Sequence, residues 1–335
     1  MPERPLRILS IDGGGIRGII PGMVLAALES SAGKPVHELF DLVAGTSTGG
    51  ILALGLTCRG EDGAARYAAA DLVDLYTEQG ADIFRRTPLR AIPGVGLVTD
   101  LVEEKYPART LETVLEEYFG DARLRDALTD VIVPAYEIER RVPFFFKSRR
   151  AREDDGYDYP IRDVARATSA APTYFEPHRI DVEGDYYSLI DGGVFANNPT
   201  MCAIAEALAV ARDARGAVPD LVVASLGTGE HTRPIPHSRA TGYGLIQWAS
   251  RLLDVMMDGN SDTVRYQADQ ATSPGRHFRF QVRLDPASDS LDDASPGNVR
   301  TLRLLGEELV ARNRDRLDRL MALLLPGPPL TRDGP

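Results

Sequence analysis

Two apolar, strand-like segments, each followed by a glycine-rich turn and a helix-like segment, constrain the fold of this chain most strongly. The first, residues 6–11, leads into the glycine-rich residues 12–18, and the second, residues 40–44, leads into residues 45–49. Near-continuous apolar strands that alternate with helices are typical of a parallel sheet covered on both faces. We therefore predict an α/β fold with three layers, α/β/α, and a mostly parallel central sheet.

The alternation of strands and helices continues along the chain without a Ser- or Gly-rich linker, which predicts one domain. A Pro- and Gly-rich stretch, Thr87 to Gly96, lies in a connection of roughly 30 residues and predicts a mobile flap. The apolar patterns predict further strands at about 131–136, 142–147, 186–190, 221–226 and 277–284, and helices at about 21–31, 64–80, 110–119, 161–170, 199–212, 243–257, 260–270 and 297–325.

Charge and composition exclude several classes of function. The 335 residues are 43% apolar, and 38 basic against 49 acidic side chains give a net charge of −11. Such a charge repels nucleic acid polymers and anionic bilayers, so contact with either needs a local patch. We find no Cys/His cluster with metal-ligand spacing, no signal-peptide pattern, and no apolar run long enough to span a membrane. We expect a cytoplasmic protein that needs no cofactor or metal.

Ser47 is the central residue of a Gly-x-Ser-x-Gly sequence at 45–49, between a predicted strand and a predicted helix. In hydrolases this turn presents the serine hydroxyl at the C-terminal edge of the sheet and at a helix N-terminus. The pentapeptide alone is a weak signal, because Ser and Thr also cap helices at this position. Ser47 is therefore a candidate nucleophile, with helix capping as the alternative.

The glycine-rich loop at 13–18 fits the Gly-x-Gly-x-x-Gly pattern of a dinucleotide-binding turn. That interpretation expects an acidic residue at the end of the second strand, but Glu38 and Asp41 lie before it or at its beginning. No Gly-Lys-Ser/Thr sequence follows the loop, so a nucleoside triphosphate loop is also disfavoured. A nucleotide-binding module is therefore the weaker alternative.

The same loop can form an oxyanion hole. Gly13, Gly14 and Gly15 have no side chains, so consecutive N–H groups can point toward one developing negative charge. Neighbouring parallel strands would bring this loop and the Ser47 turn to the same edge of the sheet. Arg17 either adds positive potential there or braces the loop through carbonyl and carboxylate groups, and both interpretations stay open.

A serine nucleophile needs a base, and Asp191 is the better candidate because it ends a predicted strand and precedes two glycines. The alternative for Asp191 is a residue that caps a turn. A conventional hydrolase would use a downstream histidine, but none has a recognisable setting, and Ser47 follows only the second strand. The downstream histidines are His178, His231, His237 and His277.

Together these motifs resemble the signature blocks of the patatin-like phospholipases. The blocks are Asp-Gly-Gly-Gly-Ile-Arg-Gly at 12–18, Gly-Thr-Ser-Thr-Gly at 45–49 and Asp-Gly-Gly at 191–193. Residues 167–175 and 197–199, on either side of the third block, also resemble that family. Beyond residue 228 the resemblance is looser and is to bacterial members.

The resemblance implies a lipid acyl hydrolase of the phospholipase A type, in which a Ser–Asp dyad works without a catalytic histidine through an acyl-enzyme. Matched position by position, Ser47 is the nucleophile and Asp191 is its base. A catalytically silent scaffold remains an alternative. The positions that match the oxyanion hole are Gly13, Gly14, Gly15 and Arg17.

The resemblance also implies how the chain is organised and what it meets. Residues 6–228 are expected to form the patatin-like catalytic domain, and residues 229–335 a C-terminal extension packed on the same domain. The expected partner is a phospholipid or other acyl lipid at a membrane surface, which the protein contacts transiently. Some bacterial relatives are antiphage effectors switched on by cyclic oligonucleotides. A cyclic nucleotide is therefore a candidate activator, with the arginines at 149, 150 and 152 as candidate contacts, and a homodimer is a candidate assembly.

Three apolar segments leave alternatives open. Residues 142–150 place three phenylalanines beside basic residues, as a buried strand or as a headgroup contact. The predicted helix at 297–325 has leucines on one face, for core packing or for membrane docking. The segment from Leu245 to Met257, which contains Trp248, is core, an oligomer contact or an acyl-chain wall.

Overall fold

One eight-stranded sheet organises the computed structural model, which describes residues 4–85, 106–215, 219–230 and 234–325. The predicted flap at 87–96 lies outside these residues. The strand order is β5-β6-β3-β2-β1-β7-β8, and β4 also pairs with β3. The strands are Leu6–Ile11 (β1), Leu42–Gly45 (β2), Asp130–Glu137 (β3), Val142–Lys147 (β4), His178–Val182 (β5), Asp185–Asp191 (β6), Leu221–Leu226 (β7) and His277–Phe280 (β8).

The centre of the sheet is parallel and one side of it is antiparallel. β1 pairs in parallel with β2 and β7, β2 with β3, and β7 with β8. β4 and β6 run antiparallel to β3, and β5 runs antiparallel to β6. The predicted mostly parallel sheet is confirmed.

Helices cover both faces of the sheet because successive strand residues point to opposite sides. Leu9 and Ile11 of β1 belong to the larger apolar core, whereas Ile8 belongs to the smaller one. These two cores make the predicted three layers, α/β/α. The α-helices are Ile19–Ala32, Val36–Leu39, Thr48–Thr57, Ala69–Ile83, Ala108–Phe119, Ser148–Glu153, Ile161–Thr168, Gly193–Ala196, Thr200–Arg215, His237–Ala240, Leu245–Ala271, Pro296–Arg312 and Arg314–Leu324.

Several of the predicted helices differ from the structure in their boundaries. The helix predicted at 64–80 spans Ala69–Ile83. The helices predicted at 243–257 and 260–270 are one helix, Leu245–Ala271, because the helix tolerates Gly259 near its middle. The helix predicted at 297–325 is interrupted at Asn313. Its leucines at 302, 305, 309, 317, 320 and 324 are all buried, which confirms core packing.

The residues after 228 take part in the same architecture. β8 extends the sheet beyond β7, and the helix Pro296–Arg312 packs against the helix Ile19–Ala32. A division of the chain at residue 228 stays a prediction. Among the residues that the structure describes, no helix combines the length and apolarity needed to cross a membrane.

Candidate active site

Ser47 occupies a sharp turn between β2 and the helix Thr48–Thr57. Its backbone has φ 55° and ψ −124°, which is a strained conformation for a residue other than glycine. A Cβ atom at Gly45 would overlap the Gly49 carbonyl, and one at Gly49 would overlap the Ile11 carbonyl. The two glycines of the motif are therefore required by close backbone contacts, and the turn leaves Ser47 at the helix N-terminus.

Thr168 holds the backbone of this turn. The Ser47 N–H donates to Thr168 Oγ1 at 2.9 Å, and the Thr168 hydroxyl donates to the Pro134 carbonyl at 2.6 Å. All these groups are buried, so each needs a partner within the protein. Thr168 therefore connects the strained turn to β3.

Asp191 reaches the end of the sheet at which Ser47 lies, because β3 extends beyond the end of β2. Ala44 of β2 pairs with Ile132 of β3, whereas Asp191 pairs with Ala135, three residues further along β3. The strand that carries Asp191 is antiparallel, so the carboxylate reaches the site from the opposite direction to Ser47. The structure thus brings together the two residues of the predicted dyad.

The Asp191 carboxyl group is 4% exposed. It accepts hydrogen bonds from the Ser47 hydroxyl and from the Gly193 N–H, the latter at 2.7 Å. Burial raises the pKa of Asp191 to about 7, and the two hydrogen bonds only partly offset this effect. The Asp191 carboxyl group therefore has a pKa near neutral pH.

The glycine-rich loop lies beside this pair, at the end of the neighbouring strand β1. Gly14 and Gly15 line the same pocket as Ser47 and Asp191. The Gly13 N–H already donates to the Asn197 carbonyl at 2.9 Å. The Gly14 and Gly15 N–H groups are therefore the better candidates for an oxyanion hole than that of Gly13.

The loop is held in place from two sides. Arg17 is buried, and its Nε donates to the Gly14 carbonyl at 3.2 Å, which favours the bracing interpretation. Thr228 Oγ1 donates to the Gly13 carbonyl at 2.7 Å. Gly15 has φ 57°, and a Cβ there would overlap the Leu291 carbonyl. The oxyanion role itself stays a prediction.

The pocket that contains Ser47 and Asp191 is mainly apolar. Met257 of the helix Leu245–Ala271 forms part of its wall, as the acyl-chain alternative proposed, whereas Trp248 and Met256 of that helix are exposed. The other large apolar side chains that line it are Ile51, Leu75, Tyr76, Ile83, Phe84, Leu111, Val114, Leu115, Tyr174, Phe175, Val194 and Leu291.

A polar cavity of about 310 Å³ adjoins this pocket, and Met257 and Leu291 line both. A buried ion pair lies in its wall, with Arg279 Nη1 at 2.8 Å from Asp12 Oδ1. The Ile16 N–H, at the start of the helical turn after the glycine loop, donates to the Leu291 carbonyl. This N–H is therefore not directed toward a phosphate, and no observation favours the dinucleotide alternative.

The three downstream histidines that the structure describes do not join the site. His178 lies in β5 beside Asp163, and His277 lies in β8 beside Asp269. His237 begins a short helix, and His231 is outside the described residues. Of the described residues that line the pocket with Ser47, none is a histidine, and no group of His, Cys, Asp or Glu in the described ranges is arranged to hold a metal.

A family model described as "Patatin-like phospholipase" matches residues 9–204. Patatin-like protein 2 of Arabidopsis thaliana is 33% identical, covering 91% of this chain and 83% of its own length. Patatin-like protein 1 of the same plant is 32% identical, covering 90% and 81%. The chain belongs to the patatin-like phospholipase family.

Membership of this family supports lipid acyl hydrolase activity. A relative in Solanum tuberosum named "Probable inactive patatin-3-Kuras 1" is 31% identical, covering 91% of this chain and 86% of its own length. The solved structure of VipD from Legionella pneumophila is 10% identical with a TM-score of 0.38, and the match covers 92% of this chain and 67% of that one. The expected bacterial branch stays a prediction.

Asn260, near the candidate site, is a residue that the sequence patterns do not single out. Its Nδ2 donates to the Phe195 carbonyl at 2.7 Å, and its Oδ1 accepts from the Asn198 N–H at 3.1 Å. These two bonds tie the helix Leu245–Ala271 to the turn that follows Asp191. A lone asparagine in a helical pattern gives no sequence signal for such a role.

The basic segment 149–152 lies away from the dyad. Arg152 pairs with Asp130, at the beginning of β3 and therefore at the opposite edge of the sheet from Ser47. Arg150 stacks on Tyr157 with 3.5 Å between its Cζ and the ring centroid. Binding of an activator at these arginines stays a prediction.

Proposed function

We propose that this chain cleaves fatty-acyl esters of membrane lipids, with Ser47 as nucleophile and Asp191 as general base. The observation that carries the proposal is the hydrogen bond between the Ser47 hydroxyl and the buried Asp191 carboxyl group, at one end of an apolar pocket. The apolar wall suits a fatty-acyl chain, whose transfer out of water lowers the free energy.

In the first step, Ser47 Oγ attacks the ester carbonyl carbon as its proton passes to Asp191. The carbonyl oxygen becomes an oxyanion, and we assign the Gly14 and Gly15 N–H groups and the helix N-terminus at Ser47 to its stabilisation. When the intermediate collapses, the C–O bond to the alcohol breaks and Asp191 returns the proton to the leaving alkoxide. The products are a lysolipid and an acyl-enzyme.

In the second step, water replaces the lysolipid. Asp191 accepts a proton from the water as its oxygen attacks the acyl carbon, and the proton then returns to Ser47 Oγ as the acyl–serine bond breaks. A free fatty acid leaves, and the dyad is restored. Water is the one co-reactant that the two steps need to balance.

The raised pKa of Asp191 makes this chemistry more favourable. An ordinary aspartic acid is too weak a base for a serine hydroxyl, whereas burial raises the pKa of Asp191 to about 7. A catalytic base works best when its pKa lies close to the working pH. Burial therefore gives Asp191 the basicity that a histidine supplies in conventional serine hydrolases.

The test is release of free fatty acid from phosphatidylcholine vesicles and from a short p-nitrophenyl ester. We expect Ser47→Ala and Asp191→Asn each to lower kcat/KM by at least about a thousandfold on both substrates, since members of a catalytic unit are not additive. Ser169→Ala is the matched control, because Ser169 lines the same pocket and is not assigned a chemical step. Activity retained by a folded Ser47→Ala protein would refute the assignment.

A further inference from the structure

The helix Leu245–Ala271 carries a stripe of exposed apolar residues. Trp248, Leu252, Val255 and Met256 are 40%, 51%, 45% and 44% exposed, and Tyr266 is 68% exposed. Their spacing of three and four residues places them on one side of the helix. We call these five residues, with the exposed Gly259 and Thr263 between them, the outer stripe. It contains no charged residue and is about 27 Å long.

The opposite face of the same helix belongs to the catalytic site. Met257 lies half a turn from Trp248 on the helix circumference and lines the pocket with Ser47 and Asp191. Asn260 bonds to the turn that follows Asp191. Because a helix with its side chains is about 10 Å across, anything bound to the outer stripe lies about that distance from the pocket.

The charges of the helix indicate what kind of surface can bind. Its sequence has two arginines, Arg251 and Arg265, against four aspartates, and the whole chain has a net charge of −11. An anionic bilayer is therefore repelled, whereas a neutral or zwitterionic surface is not. Trp248 and Tyr266 near the two ends of the stripe suit the boundary between lipid tails and water, where aromatic residues with a polar group accumulate.

We propose that the outer stripe docks this protein on a zwitterionic lipid surface, and this rests on the proposed lipid hydrolase function. The main competitor is a second copy of the chain, paired helix to helix. The seam of such a pair, spaced by four and three residues from Trp248, would include Gly259 and Asp262. Gly259 leaves a gap in the packing and Asp262 brings a charge into the seam. On a lipid surface, by contrast, flexible lipid tails fill the gap at Gly259, and the charge of Asp262 stays at the edge of the stripe.

Trp248 is the chain's single tryptophan, so its fluorescence reports on the stripe alone. The probe is a vesicle of ether-linked phosphatidylcholine, which has no acyl ester to cleave. We expect the emission to shift to shorter wavelength on addition of vesicles and to be quenched by bromine atoms on the lipid tails. Vesicles that contain phosphatidylglycerol should bind less tightly at low salt.

The double variant Leu252→Ser/Val255→Ser should bind ether-linked vesicles at least tenfold more weakly and lose a similar factor in vesicle hydrolysis. Its turnover of a short soluble ester should stay within twofold, since neither side chain lines the catalytic pocket. The matched control is Leu304→Ser, which removes a leucine that is 62% exposed on a different helix. That variant should match the wild type in all three assays.

Several results would overturn the docking surface. One is unchanged Trp248 emission with vesicles, and another is an equal loss on the soluble ester, which would indicate damage to the fold. A blue shift that depends on protein concentration without lipid would favour the second copy instead. Failure of the proposed function is distinguishable, because an inactive protein would still show the fluorescence change, whereas an active one that fails to dock would still cleave the soluble ester.

Discussion

The substitution Asp191→Asn is expected to make the protein more stable at alkaline pH while it abolishes turnover. Burial raises the pKa of Asp191 from 3.8 to about 7, which means that the folded protein opposes ionisation of this group. Asparagine has nearly the same shape and stays neutral at every pH. It also retains an oxygen that can accept from the Gly193 N–H.

The direction of this change in stability with pH follows from proton linkage. Below pH 3.8 the carboxyl group is protonated in both the folded and the unfolded chain, so Asp191 costs nothing. As pH rises from about 4 to about 7, the unfolded chain loses this proton and the folded chain retains it, so the free energy of unfolding falls. Above about pH 7 both states are ionised, and the loss reaches its limit of about 4 kcal/mol at 1.36 kcal/mol per pKa unit.

Urea unfolding of the wild type and of Asp191→Asn at pH 5, 6, 7 and 8 measures this effect. We expect the stability advantage of the variant to grow from about 2 kcal/mol at pH 5 to about 4 kcal/mol at pH 8, in addition to any difference between the two proteins that does not depend on pH. An advantage that does not change with pH would refute the assignment of a raised pKa to Asp191. An advantage that shrinks as pH rises would mean that the folded protein favours the carboxylate.

Three further predictions concern the base, the turn and regulation. The kcat/KM for a soluble ester should rise with pH to a plateau above about 7, because Asp191 must be ionised. Single replacement of each downstream histidine should change the rate by less than about tenfold. Loss of activity in one of these histidine variants would indicate a histidine base instead. Thr168→Val should lower the free energy of unfolding in urea by about 1–3 kcal/mol and also lower kcat, because the Ser47 N–H and the Pro134 carbonyl both lose a buried partner. Thr168→Ser should retain both values near those of the wild type. A Thr168→Val protein with unchanged kcat would contradict the positioning role. Phospholipid turnover measured with a panel of cyclic di- and trinucleotides tests the predicted activator, and turnover that is full without ligand and unchanged by every nucleotide would leave a constitutive lipase. The histidines to replace are His178, His231, His237 and His277.

The sequence predicts the centre of the fold well because local pattern and tertiary environment agree there. Four of the six residues of β1 and five of the six of β7 are apolar, and the structure places both strands between two layers of helices. The antiparallel side of the sheet was harder to predict. β5 alternates polar and apolar residues at an edge, and its pairing depends on β6 rather than on its own sequence.

In the candidate site too, local sequence motifs identify the residues, whereas contacts between distant residues decide how they meet. Ser47 and Asp191 stand in short motifs, so a sequence pattern can single them out. The level at which Asp191 meets Ser47 depends on the register between β2, β3 and β6, which no local pattern specifies. Likewise, the hydrogen bonds of Asn260 join residues more than 60 positions apart, and only the packed structure shows them.

The central claim is that Asp191 activates Ser47 as a nucleophile, and a fluorophosphonate probe tests it most directly. The probe forms a covalent bond with an activated serine, and mass spectrometry of the digested protein locates it. We expect one adduct, on the peptide that contains Ser47, and labelling at least about a hundredfold slower in Asp191→Asn at pH 8. An adduct on another serine, or equal labelling rates in the wild type and Asp191→Asn, would contradict the claim.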